Sequence, residues 1–232
     1  MIILEKERIG IVIIENMSGK KFIASYSGGK DCVLSIYRAV SAGLEPAGLI
    51  TTYKTDAIYS WFHGMSEALL QRASDSLAIP LTLIRTTGEK YTINFEKALT
   101  EAGERGAQVC VFGDIDIEAH LKWCTERCEN TGLTPYLPLW GEDRKSIVYD
   151  FIDSGFSSVI KIVDTTRLPE KFLGRTLTKD TIDEIEQHGA DVCGENGEYH
   201  TFVYDGPLFS EKVDFSIKGQ AMWDKYAALE LE

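Results

Sequence analysis

Two short stretches concentrate the residues able to do chemistry. In the first, Ser27-Gly28-Gly29-Lys30-Asp31 puts a hydroxyl, a cation and a carboxylate around two consecutive glycines. Adjacent glycines let the backbone turn sharply and approach a ligand, and a helix starting there offers unpaired N–H groups and a positive dipole end to an anion. Phosphate binding suits that set; simple chain reversal is the alternative. The second stretch gathers Glu195, Asn196, Glu198 and His200 between Gly194 and Thr201. Such a cluster is costly to bury unless it meets a ligand, a metal or itself. Its plainer reading is a polar hairpin turning at Asn196-Gly197.

The flanking patterns say what must hold these groups. An apolar run from Phe22 to Tyr26 precedes the first stretch, and Val33, Ile36, Tyr37 and Val40 share one helical face after it, which reads as strand, phosphate-type loop and helix. The alternation continues with strands at Pro46 to Thr52, Leu81 to Thr86 and Val109 to Gly113, and helices at Ser66 to Ser76, Thr92 to Arg105 and Glu118 to Asn130. This predicts an α/β fold with a doubly wound, mostly parallel sheet. Ligands of such sheets bind at the carboxyl ends of the strands. Those ends carry the glycine loop, the Tyr53 to His63 loop, and Gly113-Asp114-Ile115-Asp116.

From about Pro135 the texture changes. PYLPLW reads as a linker, so the chain is divided at residues 1–135 and 136–232, the second part being a smaller α+β domain. There the pattern predicts a helix at Lys145 to Asp153, a strand at Ser158 to Val163, a helix at Lys179 to His188, and, after the polar cluster, two strands or edges and a helix at Ala221 to Leu229. Residues 1–16 read either as an added edge strand over Ile9 to Ile14 or as an extension ahead of Met17.

The net charge of −12 works against binding nucleic acid, whose affinity rests on cationic contacts with phosphates. Apolar runs are too short to span a membrane, and five cysteines without small-scaffold spacing imply free thiols; the expected location is the cytoplasm. Cys124 and Cys128, four apart, could ligate a metal, but continue an apolar stripe with Leu121. Cys32 stands at a helix start, where a thiol pKa tends to fall; its other reading is a small packing residue. A homodimer is left open.

The glycine loop, with its place on the first strand, resembles the pyrophosphate loop of the N-type ATP pyrophosphatases, which split ATP between its α and β phosphates. GDIDIEAHLKWCTERCENTGLTPYLPLW (113–140) and CGENGEYHTFVYDGP (193–207) resemble the two downstream signatures of the diphthine-ammonia ligase family. The similarity runs from about Lys21 to Phe209. It implies a HUP-like nucleotide-binding domain and an enzyme that adenylates a carboxylate with Mg-ATP, releases pyrophosphate and lets ammonia displace AMP. Its partners would then be ATP, ammonium and a carboxylate acceptor, with elongation factor 2 carrying diphthine as the acceptor of the named family.

On that resemblance Ser27, Gly28, Gly29, Lys30, Asp31, Cys32, His63, Gly113 and Asp114 face the nucleotide. Asp31 and Asp114 are the candidate magnesium ligands, Asp31 having the alternative of a carboxylate favoured by the helix dipole. Lys30, Glu195, Glu198 and His200 are the expected catalytic groups, a glutamate taking a proton from ammonium, and His120, Asn196 and Thr201 face the acceptor. Two positions depart from the family pattern: Cys32 stands where serine is usual, and Leu121 where a basic residue is common. A sulfur-transfer enzyme acting on tRNA, or a nucleotide-binding module without catalysis, would share the loop alone.

Overall fold

The computed structural model describes residues 17–55, 60 and 63–232. The Ile9 to Ile14 reading lies outside the described residues. Strands β1 (Lys21–Ser25), β2 (Glu45–Lys54), β3 (Leu81–Thr86), β4 (Val109–Val111) and β5 (Thr134–Tyr136) form a parallel sheet ordered β3-β2-β1-β4-β5. The order reverses between β1 and β4, which places the crevice of a doubly wound sheet beside the glycine loop. Alternate residues of β1 serve opposite faces. Phe22 and Ala24 pack with α1 (Lys30–Ser41) and α2 (Glu67–Leu77), whereas Ile23 packs with α3 (Tyr91–Glu104) and α4 (Glu118–Thr131).

A second, antiparallel sheet has the order β7-β6-β9-β8, from β6 (Ser157–Asp164), β7 (Tyr199–Asp205), β8 (Ile217–Trp223) and β9 (Tyr226–Leu231). Helix α5 (Arg144–Asp153) bridges the two sheets, and α6 (Lys179–Gln187) covers the second. The bridging is both polar and apolar. Arg38 of α1 donates to Asp150 of α5 at 2.7 Å, and one core cluster contains Val33 of α1, Phe151 of α5 and Phe202 and Val203 of β7. The two sheets therefore share a core.

Three expectations are corrected. The helix expected at Ala221 to Leu229 is instead the β8–β9 hairpin, turning at Asp224 with φ of 52°. Helix-favouring Ala, Met, Leu and Glu give way there because Ala227, Leu229 and Leu231 alternate onto a buried face. The linker expected from Pro135 begins later, since Thr134–Tyr136 pairs with β4 as a fifth strand. Pro135 is tolerated because β5 is an edge strand, whose outward N–H is not needed. The polar hairpin does not form: Gly197 N–H donates to Gly194 O at 3.0 Å in a tight turn, and strand structure begins only at Tyr199.

Lys161 of β6 is 4 % exposed and lies where the β6–β7 register shifts. Burial pulls its ammonium down to about 8, with Glu230 opposing weakly. The folded pKa lies below the unfolded value of about 10.4, so the folding penalty is complete below pH 8 and fades as pH rises toward 10.4. Lys161→Met should therefore raise stability at pH 7 by on the order of 2 kcal/mol, and the gain should shrink above pH 8. Denaturant melts at pH 7 and 10 check this; a gain equal at both would exclude the charge as the cause.

Candidate active site

The β1–α1 loop takes its shape from bonds within itself. Ser27 Oγ accepts from Gly29 N–H at 3.3 Å, and Cys32 Sγ donates to Gly29 O at 3.1 Å. A side chain on Gly29 would meet His63 Cε1 at 2.3 Å, so only glycine lets the 63–66 segment close over the loop. Gly113, at the end of β4, passes equally near: its Cβ would lie 2.8 Å from Cys32 N. Two strand ends and a helix start are thereby pressed together.

Strand β7 completes the loop from the other sheet. Thr201 Oγ1 accepts from Lys30 N–H at 3.0 Å, and Val203 N–H donates to Gly28 O at 2.8 Å. Thr201 O accepts from His63 Nδ1 at 3.0 Å, which fixes the proton of a neutral His63 on Nδ1, because a carbonyl only accepts. His200 lies alongside, its ring centroid 4.7 Å from that of His63.

A cavity of about 460 Å³ opens here, lined by Ser27, Lys30, Asp31, Cys32, His63 and Gly113 from the first sheet's end, among others. Asp114 and His120 line it too, as do Glu195, His200 and Thr201 from the second. The structure thus brings together most of the residues singled out in the two stretches. Tyr91, Phe112 and Trp123 add an aromatic wall, with Tyr91 and Trp123 centroids 5.9 Å apart.

The electrostatics are uneven. Lys30 is buried and pairs with Asp31 at 2.7 Å; burial lowers its pKa, but Asp31, Cys193 and Tyr199 outweigh that and hold it well above the ordinary value. Glu195 is pushed up to about 7, first by desolvation and then by Asp31. Desolvation also drives His200 down to about 4, helped by Lys30 and Lys161, and lowers His63 strongly. His120 goes the other way, raised by its 3.0 Å contact with Asp114. Among the described residues no three metal-ligating side chains converge. Asp31 and Asp114 supply two hard oxygen donors, a number that suits a magnesium ion retaining water and phosphate ligands.

Glu198 is placed elsewhere than the sequence suggests. It is 3 % exposed, does not line the cavity, accepts from Asn196 N–H at 3.1 Å and pairs with Arg167 at 3.4 Å. Asn196 is likewise outside the lining and exposed. Both shape the turn that carries Glu195. All five thiols are free and buried, and burial raises Cys32 rather than leaving it reactive. Cys124 and Cys128 lie in the core, Cys124 also donating to Asp114 at 3.5 Å.

Sequence reasoning missed Tyr91, Trp123, Asp191 and Tyr199. The aromatics carry no motif of their own, and only tertiary packing shows which ring edges reach a cavity. Asp191 accepts from Cys193 N–H at 3.1 Å and Glu195 N–H at 3.0 Å; an aspartate two residues before a turn was the available signal.

The chain is matched by the diphthamide synthase N-terminal domain over residues 20–135 and by the diphthamide synthase C-terminal domain over residues 143–231. The diphthine--ammonia ligase of Danio rerio is 24% identical over 219 residues, covering 83% of this chain and 85% of the relative. That of Rattus norvegicus is 26% identical over 222 residues, covering 82% and 80%. The Schizosaccharomyces pombe enzyme of the same name is 26% identical over 218 residues, of which this chain spans 36% of the length. A fold of parallel and antiparallel sheets meeting at a glycine loop therefore has a family: the chain belongs to the diphthamide synthases. It is an enzyme of the diphthine--ammonia ligase type.

The carboxyl group of Glu195 yields a stability test. Its folded pKa of about 7 exceeds the ordinary 4.5, so the folded form binds the proton more tightly and pays for ionisation as pH rises from 4.5 through 7. Glu195→Gln should raise the melting temperature of the ligand-free protein at pH 8 and leave it nearly unchanged at pH 4.5. A loss at pH 8 would show that the carboxylate is stabilising.

Proposed function

We propose that the chain makes an amide from a carboxylate in two steps at this cavity. The acceptor carboxylate attacks the α-phosphorus of ATP, forming an acyl-adenylate and expelling pyrophosphate. Ammonia then attacks the acyl carbon, giving the amide, AMP and one proton. The observation carrying this reading is the convergence of the Ser27–Lys30 loop and Glu195 on one cavity from two different sheets. An anion-binding loop alone would support nucleotide binding only.

Each group has a role in keeping with its surroundings. Lys30 and the backbone N–H groups at the start of α1 hold the charge that grows on pyrophosphate. The aromatic wall of Tyr91 and Trp123 suits the planar base. Asp31 and Asp114 would hold a magnesium ion, whose chemistry is neutralisation of the phosphate oxygens. Glu195, poised near neutrality, takes the proton lost by the attacking nitrogen. Neutral His63 and His200 orient the acceptor by hydrogen bonds without adding charge. The names of the relatives support diphthine as acceptor, and the family resemblance implies elongation factor 2 as its carrier.

Incubation with Mg-ATP, ammonium and elongation factor 2 bearing diphthine should yield AMP, pyrophosphate and amide in equal amounts; ADP in place of AMP would sink the proposed cleavage. Lys30→Ala should weaken ATP binding about tenfold or more, as a charge-assisted contact is lost. Glu195→Gln should keep ATP binding and lower the amide-forming rate about 10²-fold. Glu198→Gln should act mainly on stability, through the turn.

A further inference from the structure

We propose that Arg144 is a positioning residue for this reaction: it clips the turn bearing Glu195 to the loop after β4 and so sets where that carboxyl stands. The proposal rests on the functional reading above. Arg144 is the first residue of α5, and a cation at a helix N-terminus is opposed by the helix dipole. Something other than helix formation therefore accounts for an arginine here.

Its partners supply the reason. Nε and Nη2 donate to the two oxygens of Asp116 at 2.7 and 2.8 Å, and Nη1 donates to Asp191 Oδ2 at 2.5 Å. Asp116 follows Asp114 by two positions in the β4–α4 loop. Asp191 Oδ2 also accepts from Glu195 N–H at 3.0 Å, while its Oδ1 accepts from Cys193 N–H at 3.1 Å. A continuous line of hydrogen bonds thus runs from the Asp114 side of the cavity to the Glu195 side. Arg144, Asp116 and Asp191 are absent from the cavity lining, so Arg144 acts through the backbone it anchors. One planar guanidinium satisfies two carboxylates in fixed directions, which an ammonium point charge does not do.

The far end of the turn is held independently by Glu198 and Arg167 at 3.4 Å. Loss of Arg144 should therefore loosen the Asp191 end while β7 stays in place. It would also leave Asp116 and Asp191 without their shared cation.

The test uses the full chain with Arg144→Met, Arg144→Lys, Asp191→Asn and the Arg144→Met/Asp191→Asn pair. A misplacement of about 1 Å costs roughly 10²-fold, so kcat for amide formation should fall about 30- to 100-fold in Arg144→Met. The Kd for Mg-ATP should stay within about twofold, since the loop is untouched. The paired variant should cost no more than the worse single one, because both residues lie on one line. Arg144→Lys keeps the charge but loses the fork, and should resemble Arg144→Met. In the ligand-free protein, backbone N–H exchange at Cys193 and Glu195 should quicken about tenfold in both Arg144 variants, with β7 unchanged.

Wild-type kcat in Arg144→Lys, or unchanged exchange at Cys193 and Glu195, overturns the proposal. Should the wild-type protein itself form no amide, the functional reading falls, and hydrogen exchange still decides whether Arg144 holds the turn. Should Arg144→Met fail to fold, the lysine variant decides.

Discussion

The seating of β7 on the glycine loop is the contact on which the rest of the site depends. A helix N-terminus leaves its first N–H groups unsatisfied, and here one of them, on Lys30, is met by Thr201 from another sheet. Gly28 returns the bond through its carbonyl to Val203. These two hydrogen bonds fix the register of β7 against α1 at the point where a phosphate would bind. Chain connectivity then brings His200 and the turn before β7 to the same cavity, where Asp191 holds the turn by its backbone. The second sheet thus completes the glycine loop rather than standing apart from it.

That arrangement concentrates charge in a place that folding alone would not choose. Lys30 is a buried cation facing Asp31, with Asp114 and Glu195 on the same cavity. Buried ion pairs contribute little to stability, because desolvation offsets their attraction. The same low-dielectric setting keeps Glu195 close to neutrality and both facing histidines uncharged. A phosphate entering the cavity would compete with Asp31 for Lys30. The ligand-free site therefore holds its groups in a pairing that binding can rearrange without bringing in new side chains.

Much of this was legible in the sequence because local pattern and global fold agree in the elements from β1 through α4. The alternation of strands and helices, the helix faces and the phosphate-type loop each follow from periodicity and glycine placement, whereas the strand order does not. Legibility fell where tertiary pairing overrode local preference. Ala227, Leu229 and Leu231 carry helix-favouring neighbours, yet alternate onto a buried face beside β6. Thr134–Tyr136 is three residues long, too short to announce itself beside a proline. At the site, residue types pointed to Glu195 and Glu198 equally. Only the packing separates them, because Arg167 draws Glu198 away from the cavity while Asp191 holds the Glu195 backbone beside it. Arg144 gave no motif at all; its one sequence signal was a cation where the dipole of α5 disfavours one.

The two departures from the family pattern turn inward for a related reason. Cys32, in place of the usual serine, donates to Gly29 O and lies 3.4 Å from both Ser27 N and Ser27 Oγ. Sulfur is a weaker partner than oxygen, but its longer reach still closes the loop on itself. Leu121 packs against the cluster containing Cys124 and Cys128 instead of presenting a cation. In both cases the side chain contributes to the shape of the site and not to its charge. The cation of the loop is then Lys30, whose pairing with Asp31 does not depend on which residue stands at position 32.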